Sequence, residues 1–151
     1  MPDKNREVIR VEIPSKALRV RHAMCQNGHS LMDADHTING YASVAVRVKY
    51  MHNEGVIYLD PVYGSFRNVQ EMQLPDGAVV EFFCPVCGES LKSKHHKCQE
   101  CSADMFEIFL PNGGTVVGCL RNGCHFHILK LANGEKFLDS LNRDENLELF
   151  L

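Results

Sequence analysis

The chain has 151 residues, 44% hydrophobic and 23% charged, which is close to the globular average and enough to bury one core of modest size. Its net charge of −3 and pI near 6.2 lack the broad positive field of a dedicated nucleic-acid binder, so such a contact would have to come from a local patch. No apolar run approaches the roughly 18 residues that span a bilayer, and residues 1–7 carry no apolar signal core, a pattern expected of a soluble, cytoplasmic protein.

In chain order, residues 8–13 alternate Ile9, Val11 and Ile13 with Arg10 and Glu12, the period of a half-buried strand that Pro14 ends. Residues 17–23 alternate Leu18 and Val20 with Arg19, Arg21 and His22, a second short strand leading to Cys25. Residues 30–40 are mixed and polar and read as a loop. Residues 41–51 give the clearest strand, with Val44, Val46, Val48 and Tyr50 on one face and Arg47 and Lys49 on the other. A turn over 52–55 leads into a returning strand at 56–59, forming a hairpin. Residues 62–69 are extended and irregular, Pro75-Asp76-Gly77 is a turn, and residues 78–83 form the strand that delivers Cys84.

Residues 89–97, rich in lysine and histidine, read as the projecting tip of a ribbon. Strands follow at 105–110 and 115–119 around a Pro-Asn-Gly-Gly turn, and a last strand begins near Phe126. Residues 136–142 place Phe137, Leu138 and Leu141 on one face of a short C-terminal helix, and Leu147, Leu149, Phe150 and Leu151 form an apolar tail. The expectation is one β-rich domain over residues 1–151, mainly small antiparallel sheets, with a zinc-ribbon subregion at about 79–119.

The cysteines carry the chemistry. Cys84-Pro85-Val86-Cys87-Gly88 and Cys98-Gln99-Glu100-Cys101-Ser102 are two Cys-x-x-Cys turns, and two such turns supply the four thiolates of a tetrahedral zinc site. An odd count of seven cysteines argues for metal over a disulfide framework. Assigning the four central cysteines to one site leaves Cys25, Cys119 and Cys124. His29 lies at a Cys-x-x-x-His spacing from Cys25 and can complete a second tetrahedron, with His125 or His127 as alternatives. The plainer account of this second group is two unrelated turns with inert thiols. Two Zn²⁺ per chain are expected, with iron as the alternative at a four-thiolate site.

Over residues 84–101 the chain resembles the knuckles of zinc ribbons and rubredoxins, in which backbone N–H groups after the first Cys point at the sulfurs and Gly permits the turn. That resemblance implies a metal without implying a function, because ribbons serve transcription and ribosomal proteins, adaptor domains and electron carriers. The second knuckle departs from the pattern by having Ser102 where Gly is usual.

A zinc-deaminase reading of His52-Asn53-Glu54 with Cys84 and Cys87 fails on context, since Pro follows Cys84 and His52 falls in a hairpin turn. No nucleophile elbow, phosphate loop or dinucleotide fingerprint occurs. The leading expectation is a non-enzymatic, structural or protein-interaction module, partnered by another protein or by itself. The alternative is a nucleic-acid-binding ribbon using Arg19, Arg21, Lys92, Lys94 and Lys97; a metalloenzyme or redox carrier is the third class.

Overall fold

The structure is a computed structural model that describes residues 19–111 and 113–130, with the backbone of residues 8–9, 18 and 149–150. Its strands are β1 Val8–Ile9, β2 Leu18–Arg19, β3 Met32–Ile38, β4 Tyr41–Tyr50, β5 Asn53–Leu59, β6 Val69–Gln70, β7 Glu81–Phe83, β8 Lys92–Lys97, β9 Asp104–Phe109, β10 Thr115–Cys119, β11 His127–Lys130 and β12 Leu149–Phe150. There is no helix among the described residues, and thus none long and apolar enough to cross a membrane. The expected helix at 136–142 lies outside the described residues.

Two antiparallel sheets make the body. One has the order β3-β4-β5-β6, with β7 also paired to β4; the other has the order β1-β11-β10-β9-β8. In the first, β3 and β7 share one edge of β4: Met32 lies opposite Val44, and Phe82 opposite Val48. The alternation read in β4 holds, with Val44, Val46 and Val48 buried and Arg47 and Lys49 exposed. These valines meet Ile57 and Phe82 of the same sheet and Leu91, Ile108 and Leu120 from the other side in one core. A short parallel pair, β12 against β2, accounts for the backbone at 149–150.

Two expectations need correction. Residues 30–40 are not a loop but contain β3, which turns into β4 through Asn39 and Gly40, at φ 56° and 83°. Both residues of a two-residue hairpin loop take positive φ in the I′ turn, and Asn-Gly is the pair that does so with least strain. The strand is polar because it is an edge strand, mostly exposed, with an irregular register between Asp33 and Thr37. Residues 89–97 are likewise not a ribbon tip: β8 pairs with β9 as the outer strand of the second sheet. Leu91 and Ser93 are buried while Lys92 and Lys94 are exposed, so the lysines protect an edge.

The two sheets are also stitched through the backbone. Met24 exchanges hydrogen bonds with Phe109, at 2.9 Å each way, while Leu31 accepts from Ala45 at 2.8 Å. On the far side, Val80 donates to Leu120 at 3.0 Å and Asn122 to Ala78 at 2.7 Å. The segments that carry the cysteines therefore leave or enter strands of both sheets.

Candidate metal centres

Cys25, His29, Cys84 and Cys87 form one group in which all four ligand atoms lie within 4.8 Å of one another, and Cys98, Cys101, Cys119 and Cys124 form another. The eight residues read from the sequence are all present, but their expected division is wrong. The central cysteines do not converge on one point: Cys84 and Cys87 join the N-terminal Cys25 and His29, whereas Cys98 and Cys101 join Cys119 and Cys124. The reason is β8. Its six residues at roughly 3.3 Å each carry the second knuckle about 20 Å from the first.

The distances are those of tetrahedron edges. Zn–S bonds of about 2.3 Å imply sulfurs about 3.8 Å apart, and a Zn–N bond of about 2.0 Å implies S···N near 3.5 Å. Cys25 Sγ stands 3.8 Å from Cys87 Sγ and 3.5 Å from His29 Nδ1. In the second group Cys98 Sγ is 3.8 Å from Cys124 Sγ, and Cys101 Sγ is 3.4 Å from Cys119 Sγ. None of these approaches the roughly 2.05 Å of a disulfide.

Each ligand pair sits in a tight turn whose backbone closes on itself. Gly88 N donates to Cys84 O at 2.9 Å and Cys84 N to Glu89 O at 2.9 Å; Ser102 N donates to Cys98 O and Cys98 N to Ala103 O, both at 2.8 Å. The departure at Ser102 leaves the turn unchanged, because Ser102 adopts φ 65° where Gly88 has 75°. A non-Gly residue there is strained by about 1–2 kcal/mol. The Cys25 turn closes in the same way, with Gly28 N donating to Cys25 O at 2.9 Å and Cys25 N to His29 O at 3.0 Å.

Backbone N–H groups point at the sulfurs: Asn27 N lies 3.3 Å from Cys25 Sγ, Val86 N 3.4 Å from Cys84 Sγ and Arg121 N 3.4 Å from Cys119 Sγ. These donors favour thiolates. The exposed Cys87 is held down to about 6, chiefly by the Glu89 N–H and then by the Asn27 side-chain amide, whose Nδ2 lies 3.5 Å from its sulfur. Cys101 is also held down to about 6, by the Ala103 N–H first and the Arg121 side chain second. Burial pushes Cys84, Cys119 and Cys124 upward. Each centre thus has a deeply seated thiol and a more accessible one that ionises readily.

Asn27 and Arg121 hydrogen-bond the cysteine sulfurs of the two groups, and spacing alone missed them. The Arg121 guanidinium donates to Gly77 O at 2.8 Å and hydrogen-bonds the Cys101 sulfur. Their signal was position, since both lie inside the loops that join two ligands. A small core of Ala103, Met105 and Val117 packs against Cys98 and Cys119, so the second group anchors one end of its sheet.

The alternative ligands His125 and His127 belong to neither group; both instead make ring contacts with Phe66. His52 lies exposed in the β4–β5 turn, also outside both groups. Of the residues expected at a nucleic-acid contact, three lie exposed on β8 and two at β2 and just after it. Lys92 and Lys97 both pair with Asp104, Lys94 is exposed on β8, and Arg19 lies over the Tyr41 ring at 3.9 Å, with Arg21 exposed nearby in sequence.

No protein-family model, no curated protein and no solved structure matches this chain.

Proposed function

We propose that the protein is a non-enzymatic module in which two Zn²⁺ ions staple a small β core and hold a binding surface for another protein or a second copy of the chain. The observation that carries this reading is the closure of both ligand sets: each supplies four protein atoms at tetrahedral spacing. A zinc ion with four protein ligands has no position for substrate or water, and its binding free energy becomes folding free energy. Three thiolates, one neutral imidazole and Zn²⁺ sum to a formal charge of about −1, and four thiolates with Zn²⁺ to about −2. Arg121, bonded to Cys101, offsets the larger charge in the all-cysteine centre.

The surface such staples would hold rigid includes Val86, 64% exposed at the tip of the turn between Cys84 and Cys87. An apolar side chain fixed on a ligand loop is suited to a protein contact, while Asp104 offsets the basic strand that a polyanion would need. Cobalt substitution tests the closed shell. The tetrahedral Co²⁺–thiolate spectrum should be unchanged by azide or cyanide; a shift of its visible bands on adding either anion would reveal an open coordination position and overturn the reading.

A further inference from the structure

Between the sheets lies a cavity of about 250 Å³ that neither ligand set fills, although Cys119 and Cys124 form part of its wall. Its interior is apolar, built from Val44, Ile57, Val80, Phe82, Ile108 and Leu120, all buried. Tyr63, Phe66, His125 and His127 stand at its mouth as a ring-lined rim. Phe66 stacks on His125 with centroids 4.5 Å apart, and Tyr63 meets His127 edge-on at 4.5 Å.

Most polar groups in the wall are already committed. The Asp60 carboxylate accepts from Val62 N, Arg67 N, Ser65 Oγ and Asn39 Nδ2, which folds its own loop. The Asn122 amide accepts from Gln70 and donates to the Leu74 and Pro75 carbonyls. Arg121 donates to Gly77 O and to the Cys101 sulfur, which leaves only its buried Nε without a partner among the described residues. His127 differs. Its Nδ1 lies 2.7 Å from the His125 carbonyl oxygen, which can only accept, so Nδ1 carries the proton. In the neutral ring Nε2 is then an acceptor, and it has no hydrogen-bond partner among the described residues.

We propose that this cavity binds a flat, apolar molecule of one or two rings that carries a single N–H or O–H donor, an indole or a phenol, with the donor directed to His127 Nε2. An apolar cavity of about 150 Å³ suffices for benzene, so the larger volume here accommodates a second ring. The aromatic rim gives the ring faces to stack on, and the Asp60 carboxylate in the wall disfavours an anion. This site is distinct from the exposed Val86, which lies on the turn of the other centre, although the loop from Cys119 to Cys124 forms part of its wall.

The chain contains no tryptophan, so the emission of added indole, excited beyond the tyrosine band, reports directly on binding. Saturable binding of one indole per chain is expected, with a shift of emission to shorter wavelength. Benzofuran has the same shape with oxygen in place of N–H and should bind about fivefold more weakly, the worth of one hydrogen bond. His127→Phe should weaken indole about fivefold and leave benzofuran unchanged. Val116→Phe, which adds bulk to the wall, should abolish both while metal content is retained; should that variant lose its metal, the His127→Phe comparison decides alone. Indole emission that does not change would overturn the proposal. So would equal affinity for indole and benzofuran in the wild type and in His127→Phe.

Discussion

Gly118 faces Phe106 across the β9–β10 pair, one residue before the ligand Cys119, and its missing side chain is structural. A Cβ built there would stand 2.4 Å from Phe106 Cζ and 2.5 Å from Cε2. Carbon atoms in contact rest about 3.5–4.0 Å apart, so the ring would have to retreat by about 1 Å or more. The ring packs on Phe82 at a centroid distance of 5.2 Å and against the main core, so it can retreat only by giving up these contacts and entering the adjoining cavity. Overpacking of this kind costs about 1–3 kcal/mol, and Gly118→Ala should lower the Tm of the metal-loaded protein by about 4–8 °C for a loss of about 2 kcal/mol. Thermal unfolding followed by far-ultraviolet circular dichroism measures it. Gly55→Ala is the control: its Cβ would meet the Met72 side chain at 2.8 Å, but a flexible thioether swings aside, and the loss should stay below about 1 kcal/mol. Shortening the obstacle in Gly118→Ala/Phe106→Leu should restore part of the lost stability relative to Phe106→Leu alone. If Gly118→Ala melts no lower than Gly55→Ala, or if the double variant is simply additive, the steric argument is wrong.

Further outcomes follow from the turns and the thiols. Replacing the strained Ser102 by Gly should raise stability by about 1 kcal/mol, whereas Gly88→Ser should lower it by a similar amount, both read from denaturant midpoints. In metal-stripped protein that keeps its sheet signal, Cys87 and Cys101 should alkylate first, because thiols held to about 6 are mostly thiolate at neutral pH. Their rates should rise as the pH passes through about 6 and then level, while Cys84, raised by burial, stays a slow thiol until alkaline pH. Arg121→Gln should shift the Cys101 profile upward and leave that of Cys87 in place; movement of both would remove the local role given to Arg121. Met105→Ala, emptying a fully buried position beside Cys119, should cost about 2–5 kcal/mol in equilibrium unfolding.

Local signals in the sequence were legible where local chemistry decides the structure. Cysteine spacing marked every residue of both ligand groups, and the valine alternation of β4 located the inner face of its sheet. The division of ligands was not legible, because it depends on long-range pairing. Proximity in sequence suggested joining Cys87 to Cys98, whereas the pairing of β7 with β4 and of β8 with β9 sends the two knuckles to different places. Edge strands were the other blind spot. With one neighbour each, β3 is mostly exposed and β8 buries the polar Ser93, so both have little hydrophobic period to detect, and only Asn39-Gly40 announced the first of them. The cavity was invisible for a similar reason: its mouth brings Tyr63 and Phe66 to His125 and His127 from residues some sixty apart.

The division of the ligands is best tested by counting metal ions in two double variants with native mass spectrometry. Cys25→Ala/Cys84→Ala removes two ligands from one centre and should retain one ion per chain, held by the other centre. Cys84→Ala/Cys98→Ala removes one ligand from each and should retain none at stoichiometric metal. One ion in the second variant and none in the first would mean that the four central cysteines share a single site, contradicting the arrangement described.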